Sequence, residues 1–276
     1  MPGVPSPEAA IERAARAIRE ANALLITTGA GMGVDSGLPD FRGRHGVWAG
    51  DFGHDVKQLM SPKGLRERSG RAWGFYAEAV ALFDRTPPHS GFLVLQRLAE
   101  RMTEGYFGFT SNVDRHLQRA GLDPARIVEC HGTMERLQCT VECGVGIFPQ
   151  RGRVAVDPRT HEALAPLPSC PQCGAMARPN VLMFADFKWD GRISDLQRQR
   201  MNDWLDRVAR SKARLAVIEC GAGTTIATVR SMSELVTVDR QALLVRINPD
   251  EPMVPDGHIS IARGAREALH AIAALV

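Results

Sequence analysis

Four cysteines stand in two pairs whose spacing suits metal binding. Cys139 and Cys143 are separated by three residues, and Cys170 and Cys173 by two. Each pair can present two thiolates to one ion, and four thiolates complete a closed tetrahedral zinc site without an open position for water. Two disulfides are the alternative. Because the composition is ordinary for a cytoplasmic protein, where thiols stay reduced, we predict a structural zinc ion and a cytoplasmic location.

A glycine-rich segment, GAGMGVDSGLPDFRG at residues 29–43, follows a short apolar run. Glycine lets a backbone approach a phosphate closely, and free N–H groups in such a turn bind the anion. The G-x-G-x-G spacing that starts at Gly29 departs from the strict dinucleotide fingerprint, so the glycines alone leave a structural role open. Asp40, Phe41 and Arg42 favour a ligand, because arginine pairs with phosphate and an aromatic ring can wall a pocket.

Polar side chains follow four of the apolar runs that we interpret as strands. These are Ser111, Asn112 and Asp114 after YFGFT, His131 after RIVEC, Gly223–Thr225 after LAVIEC, and Asn248 after LLVRI. Each cluster has a local explanation, because Asn and Asp cap helices and Ser and Thr close turns. Four clusters at successive strand ends favour a ligand site at the carboxyl edge of one sheet.

The elements that position these residues alternate between strand and helix patterns. We predict strands at Leu24–Thr28, Tyr106–Thr110, Arg126–Cys130, Leu215–Cys220 and Leu243–Ile247, and helices at His89–Glu100, Asp114–Ala120, Ile193–Arg210, Thr225–Leu235 and Ala265–Leu275. This alternation predicts an α/β fold, a parallel sheet with helices on both faces. Cys130 and Cys220 end strands and are interpreted as small core residues.

Two segments interrupt the alternation. Arg44–Thr86 reads as loop and short helix, and Gln138–Arg178 is rich in Cys, Pro and Gly. We interpret both as insertions that form a smaller lobe beside the sheet, and a cleft between lobes is a common ligand site.

The formal net charge of +3, with 24% charged residues, argues against a nucleic-acid stripe or a membrane-surface helix. The apolar runs are too short to span a bilayer, and the first residues lack the pattern of a secretory signal. We therefore expect no nucleic-acid partner and no membrane association, and the oligomeric state is left open.

In combination and in this order, the motifs resemble those of the sirtuin family. GAGMGVDSGLPDFRG is similar to its first NAD-binding segment, TSNVD to the second, and His131-Gly132 to its catalytic histidine motif. The four paired cysteines match its zinc site, and RPNVLMFAD (Arg178–Asp186) resembles its substrate-binding strand. GTT, IN and GAREAL, the last at Gly264–Leu269, resemble later NAD contacts. The likeness extends from about Leu24 to Leu269.

The resemblance implies a Rossmann-like NAD-binding domain (residues 1–44, 87–134 and 178–276) and a small zinc-binding and helical lobe (residues 45–86 and 135–177). It implies NAD-dependent removal of an acyl group from lysine in an acylated protein or peptide, with NAD consumed as co-substrate. The acyl oxygen attacks the nicotinamide ribose, nicotinamide leaves, and His131 acts as general base on a ribose hydroxyl. The products are free lysine, nicotinamide and acyl-ADP-ribose.

The same resemblance assigns the individual site residues. It implies catalytic roles for His131, Asn112 and Asp114; NAD binding by Gly29, Ala30, Gly31, Asp40, Phe41, Arg42, Ser111, Asn112, Asp114, Gly223, Thr224, Thr225, Asn248 and Ala265; substrate binding by Phe184, Ala185 and Asp186; and zinc binding by Cys139, Cys143, Cys170 and Cys173.

The sequence departs from the family pattern at several positions. The family usually has Ser or Ala at Gly33, Gln at Ser111, Gly at Ala185 and Ser at Thr225. The subgroup that removes succinyl and malonyl groups carries Tyr-x-x-Arg, whereas the corresponding segment here is Tyr76–Ala79. Two alternatives remain open: an enzyme that transfers ADP-ribose to protein or hydrolyses NAD, and a non-enzymatic NAD-sensing module.

Overall fold

The computed structural model describes residues 6–40 and 55–276. These residues divide into two compact units, which we describe separately. The larger unit comprises 6–37, 87–130 and 196–276, and the smaller comprises 38–40, 55–86 and 131–195. Phe41 and Arg42, both predicted to bind NAD, lie outside the described residues.

The described residues form strands and helices that we number in chain order. The strands are β1 (Ala23–Thr28), β2 (Tyr106–Thr110), β3 (Ile127–Glu129), β4 (Gly132–Cys139), β5 (Ile147–Pro149), β6 (Ala177–Val181), β7 (Leu215–Cys220), β8 (Leu243–Ile247) and β9 (Ile259–Ile261). The α-helices are α1 (Pro7–Glu20), α2 (Val56–Leu59), α3 (Pro62–Glu67), α4 (Ser69–Arg85), α5 (Ser90–Glu100), α6 (His116–Arg119), α7 (Arg192–Arg210), α8 (Thr228–Arg240) and α9 (Ala265–Ala273).

The larger unit contains a six-stranded parallel sheet with the order β3-β2-β1-β7-β8-β9. Helices α1, α5 and α9 pack on one face of this sheet, and α7 and α8 pack on the other. Successive side chains of a strand point to opposite faces, so Leu24 and Ile26 enter the first core while Ala23 and Leu25 enter the second. The predicted α/β fold with helices on both faces of a parallel sheet is confirmed.

Helix α1 shows how the sequence sets the ends of these elements. The Ser6 side chain accepts a hydrogen bond from the N–H of Ala9, and Pro7 occupies the first turn, where its missing N–H has no cost. Ile11 and Ile18 then lie on the buried face at helical spacing. A cap and an apolar stripe together place the helix on the sheet.

The smaller unit combines helices α2 to α4 with an antiparallel sheet of order β5-β4-β6. The indole of Trp73 on α4 donates to the carbonyl of Ala177 on β6, at 3.2 Å, and so joins the two parts of the unit. The interpretation of Arg44–Thr86 as loop and short helix is wrong for its last part, because α4 is a helix of 17 residues. The buried residues of α4, Ala72–Tyr76, are consecutive, so this segment lacks the apolar stripe at helical spacing by which a helix is predicted.

Several predicted boundaries shift in the structure. Helix α8 begins at Thr228 rather than Thr225 and continues to Arg240, and α6 is only one turn long. Strand β9 at the sheet edge, three residues long, was missed. Within the described ranges, no helix has the length and apolar character required to cross a lipid bilayer.

Candidate functional site

The loops that follow β1 and β7 lie against each other at the point where the strand order reverses direction, the usual dinucleotide position in such sheets. A Cβ atom on Gly29 would lie 2.7 Å from the carbonyl oxygen of Gly221, and one on Gly31 would lie 2.8 Å from its Cα atom. Gly221 has φ +63°, and a Cβ there would lie 2.1 Å from the nitrogen of Met32. These glycines are therefore required by the close approach of two backbones.

This packing leaves one backbone N–H of the glycine turn without an acceptor among the described residues. The N–H groups of Gly29 and Gly31 donate to Cys220 and Gly221, each at 3.0 Å. Ala30 begins the 3-10 helix Ala30–Ser36, and its N–H has no acceptor within residues 6–40 and 55–276. The turn thus offers an N–H group to an anion, which fits the pyrophosphate of a dinucleotide.

A buried histidine also supports this 3-10 helix. The His89 Nε2 atom lies 3.0 Å from the carbonyl oxygen of Met32, and its Nδ1 atom accepts from the N–H of Gly91 at 3.0 Å. The N–H of His89 donates to the Ser36 hydroxyl at 2.9 Å. Burial lowers the pKa of His89, although its bond to the Met32 carbonyl acts in the opposite direction. The ring is therefore held neutral, with Nε2 as the donor.

Three predicted NAD-binding residues follow β2, next to the glycine turn. The Asn112 side-chain amide donates to the carbonyl oxygen of Gly29 at 3.0 Å, and the N–H of Ser111 donates to Thr28 at 3.2 Å. One carboxylate oxygen of Asp114 accepts from the N–H of His116 at 2.8 Å, just before α6. The structure thus brings Asn112 into direct contact with the glycine turn.

Burial raises the pKa of the Asp114 carboxyl, while the neighbouring His116 and Arg119 lower it. The residue is partly accessible to solvent. A carboxylate in this position can act as an acceptor for a ligand amide.

The loop after β7 contains Gly223, Thr224 and Thr225, and all three are exposed. Asn248, at the end of β8, is buried, and its side-chain amide donates to the carbonyl of Ala222 at 3.0 Å. Asn248 therefore supports the base of this loop, in addition to its predicted contact with NAD.

The amino end of α9 also reaches this edge of the sheet. The Asp35 carboxylate accepts from the N–H of Arg266 at 2.8 Å, in the first turn of α9, and lies beside Gly264. Ala265, the first residue of α9, is buried in the core. The 3-10 helix and α9 are thus joined by a carboxylate that caps a helix amino end.

In the smaller unit, His131 lies in the turn before β4 and is partly exposed. Its carbonyl oxygen accepts from the N–H of Leu182 at 3.0 Å. Gly132 has φ +76°, and a Cβ there would lie 2.0 Å from the carbonyl oxygen of Asn180. The glycine of the His-Gly pair is therefore needed for the backbone conformation of this turn.

The predicted substrate-binding residues follow β6. The N–H of Phe184 donates to the carbonyl of Met60 at 2.8 Å, and the ammonium of Lys57 lies 5.8 Å from the centre of its ring. Ala185 is exposed and has φ +52°, the left-handed region that favours glycine. Asp186 carries a fully buried side chain and forms an ion pair with Arg178 through both carboxylate oxygens. Asp186 thus fixes the segment.

The four paired cysteines converge within the smaller unit. Their sulfur atoms all lie within 4.8 Å of one another, with Cys139 and Cys173 3.6 Å apart and Cys143 and Cys170 3.5 Å apart. Four sulfurs at about 2.3 Å from a central zinc ion would be separated by about 3.8 Å. Sulfur atoms in a disulfide are only about 2.05 Å apart. The donor set and its spacing fit a tetrahedral zinc ion, and the cysteines are free thiols rather than disulfides.

Sequence reasoning missed Glu251 and Arg230. Glu251 accepts from Thr224, and Arg230 donates to the carbonyls of Ala222 and Glu251. Both residues hold the loop after β7. The charged segment that follows Asn248 was the available signal, but a sequence does not show which loop a side chain faces.

Comparison with known proteins agrees with this geometry. The model of the Sir2 family matches residues 29–204. The chain is 28% identical over 262 residues to "NAD-dependent protein deacylase 1" of Archaeoglobus fulgidus, covering 94% of both chains. It is similar to a Sir2 homologue mutant solved with ADP-ribose (TM-score 0.73, 25% identity, 96% and 95% coverage). A Sir2 homologue solved with NAD gives TM-score 0.69 at 25% identity, with 96% and 95% coverage. The chain belongs to the Sir2 family.

Proposed function

We propose that this protein is an NAD-dependent protein-lysine deacylase that consumes NAD and releases nicotinamide and acyl-ADP-ribose. The observation that carries the proposal is the glycine turn at the switch point of the sheet, with Asn112 bonded to Gly29, within a chain of the Sir2 family. Its relative in Archaeoglobus fulgidus has the same activity in its name. A structural zinc ion and NAD are the two groups that the donor sets of the chain fit.

We infer that the larger unit supplies the NAD-binding residues. Ala30 donates its N–H to the pyrophosphate, with Gly29 and Gly31 allowing the close approach. Asn112, Asp114 and Ser111 would contact the nicotinamide end, where the Asp114 carboxylate would accept from the carboxamide. Gly223, Thr225, Asn248 and Ala265 line the adenosine end. Asp40 and Phe41–Arg42, the latter pair outside the described residues, complete the set of predicted NAD contacts.

In the smaller unit, His131 is the proposed general base. An imidazole titrates near neutral pH, so it can remove a proton from a ribose hydroxyl and return it later. The segment Phe184–Asp186 binds the acylated peptide, with the ring of Phe184 against the acyl chain and the backbone of Ala185 along the peptide. When bound, NAD would supply the electrophilic ribose carbon. Exclusion of water from the site would protect this carbon from hydrolysis.

The acylated partner is a protein or peptide. The proposed cytoplasmic location rests on the free cysteines, since a reducing compartment keeps four thiols available to zinc.

The test is release of nicotinamide from NAD in the presence of acetyl-lysine peptide, with the wild-type chain and with His131→Ala. We expect peptide-dependent release by the wild type and a loss of about 10²–10⁴ in rate for the variant, which is typical for removal of a general base. NAD affinity should remain within a fewfold of wild type. Equal rates for the two proteins would refute the role of His131. Nicotinamide release without peptide, with transfer of label from labelled NAD to protein, would instead identify an ADP-ribosyltransferase.

A further inference from the structure

Glu251 lies three residues beyond Asn248 and reaches the loop after β7. The N–H of Thr224 donates to Glu251 Oε2 at 2.6 Å, and the hydroxyl of Thr224 donates to Oε1 at 3.0 Å. A Cβ atom on Gly223 would lie 3.4 Å from Oε2. One carboxylate therefore uses both polar donors of Thr224 and packs against the neighbouring glycine.

The backbone of Glu251 is itself fixed from two sides. Its N–H donates to Asn248 Oδ1 at 3.0 Å. The Arg230 guanidinium on α8 donates to the carbonyl of Glu251 at 2.6 Å and to that of Ala222 at 3.0 Å. Because Arg230 and Asn248 both bond to Ala222 as well, the two loops share their supports. The Glu251 carboxylate is thus held in place before it meets Thr224.

Hydrogen bonds to a charged acceptor are stronger than those between neutral groups. While Glu251 is in place, neither donor of Thr224 is available to a ligand. The side chain of Thr225, the next residue, is exposed and makes no hydrogen bond among the described residues. The arrangement separates the two threonines, since one is used within the protein and the other remains available.

We propose that Glu251 is a positioning residue for the NAD-binding loop, and that Thr224 acts through Glu251 rather than by donating to the dinucleotide. This inference rests on the proposed function, and it replaces the predicted direct contact of Thr224 with NAD. The clamp holds Gly223 and Thr225 in the conformation that receives the ligand. Its loss therefore weakens NAD binding and leaves the chemical step unchanged.

The test is calorimetric titration of NAD into the full chain and its variants. Glu251→Ala should weaken NAD binding about tenfold, the effect of losing one or two such bonds. Thr224→Val, which removes only the hydroxyl, should weaken it about threefold, and Thr224→Ser should restore wild-type affinity. The double variant Glu251→Ala/Thr224→Val should bind no more weakly than Glu251→Ala alone. A further loss in the double variant would show that Thr224 contacts NAD directly and overturn the inference.

Steady-state kinetics provide a second readout that a purely structural role would not change. With acyl peptide saturating, Glu251→Ala should raise the KM for NAD about tenfold with kcat within twofold. Glu251→Gln preserves the shape of the side chain and one acceptor, so its KM for NAD should lie between those of the wild type and Glu251→Ala. This variant remains informative if the alanine variant fails to fold. The matched control is Asp206→Ala on α7, which removes a carboxylate that pairs with Arg240 of α8 at 2.7 Å. This variant should leave the KM for NAD and kcat unchanged.

The outcomes separate the two proposals. Wild-type affinity for NAD in all the Glu251 and Thr224 variants would overturn the clamp and leave the deacylase proposal intact. A wild-type chain that fails to bind NAD would overturn both proposals. NAD binding without deacylation would contradict only the deacylase proposal, because the NAD titrations of the variants would still support or overturn the clamp.

Discussion

At the scale of single residues, Ala185 combines an L side chain with a backbone that favours glycine. Its φ of +52° lies in the left-handed region, which costs about 1–2 kcal/mol for a residue with a Cβ atom. The sequence showed this position as a departure from the glycine of the sirtuin pattern. In the structure, Ala185 has the left-handed backbone conformation that glycine adopts without strain. The departure from glycine therefore has an energetic cost.

Ala185→Gly should therefore stabilise the protein. Relief of strain exceeds the added entropy of the unfolded chain, about 0.4–1 kcal/mol, so we expect a gain of about 0.5–1 kcal/mol. Chemical denaturation of both chains measures this difference. Ala17→Gly, in the middle of α1, is the control, and it should lose about 1 kcal/mol. A loss of stability in Ala185→Gly would show that the alanine side chain contributes contacts that outweigh the strain.

At the scale of elements, the zinc-binding strands and turns depend on four thiolates from two separate segments. Cys139 ends β4, and Cys170 lies 31 positions further along the chain. A bound ion would join two segments that otherwise meet through the pairing of β4 with β6 and through bonds such as those from Thr140 to the carbonyl of Met176 and from the Gln172 amide to the carbonyl of Cys143. Metal affinity is then part of the folding free energy of this unit.

Cys173→Ser should reduce bound zinc and lower the melting temperature of the protein, since one thiolate of the closed set is lost. Elemental analysis and thermal unfolding measure the two effects. Cys220→Ala, which changes a buried cysteine of the larger unit, should keep the full zinc content. Metal-free protein with full activity and unchanged melting temperature would contradict a structural role for the ion.

Two histidines link the stability of the larger unit to pH. His89 Nδ1 accepts from Gly91 at 3.0 Å, and His258 Nδ1 accepts from the N–H of Leu244 at 3.2 Å, so protonation of either nitrogen breaks a bond. Burial lowers the pKa of both side chains below the ordinary value of 6.5. Below that value the unfolded chain binds protons that the folded chain does not. Stability is therefore lost as the pH falls through about 6.5.

The expected result is a lower melting temperature at pH 5.5 than at pH 7.5, a window above the titration of ordinary carboxyls. The double variant His89→Gln/His258→Gln should show a smaller difference between the two pH values, whatever its absolute stability. His270→Gln, a control on α9, replaces a histidine that meets the exposed Ser90 hydroxyl. An undiminished pH dependence in the double variant would show that other groups cause it.

At the scale of the whole molecule, the sequence predicted the elements that carry strong patterns. The strands Tyr106–Thr110, Leu215–Cys220 and Leu243–Ile247 have the predicted bounds, because a strand covered on both faces is a continuous apolar run. Strand β9 was not predicted, because three residues are too few to show the alternation or the apolar run that is typical of a strand. The four-cysteine cluster was predicted from spacing alone and is confirmed as a cluster.

Contacts between residues far apart in the chain could not be predicted from the sequence. The glycine turn was attributed to phosphate binding, whereas its glycines also permit contact with Gly221, nearly two hundred residues away. Asp186 was expected to bind substrate, and its burial against Arg178 was not visible in the pattern. Both cases depend on which distant residue lies opposite, and local periodicity carries no information on that. The roles assigned to single site residues therefore remain predictions.

We expect the acyl preference of the enzyme to depend on the charges near Tyr76. This side chain is buried, and its hydroxyl has no hydrogen-bond partner among the described residues. Burial raises the pKa of the phenol, while Arg178 and Asp186 act on it in opposite directions. The nearby Arg178 is already paired with Asp186, and Ala79 stands where the succinyl-removing subgroup has arginine. Among the described residues, neither Arg178 nor position 79 therefore offers an unpaired cation to a carboxylate in this region.

Peptides with succinyl-lysine or malonyl-lysine should therefore react at least about tenfold more slowly than those with acetyl-lysine or butyryl-lysine, because a buried unpaired carboxylate costs several kcal/mol. Nicotinamide release with each peptide measures the order. Ala79→Arg should raise the rate with succinyl-lysine and lower the rate with butyryl-lysine, since it adds a cation and volume. Ala77→Arg, which adds the same charge two residues earlier on α4, should not reproduce the gain. Faster removal of succinyl than of acetyl by the wild-type chain would mean that a cation other than one at position 79 pairs with the acid.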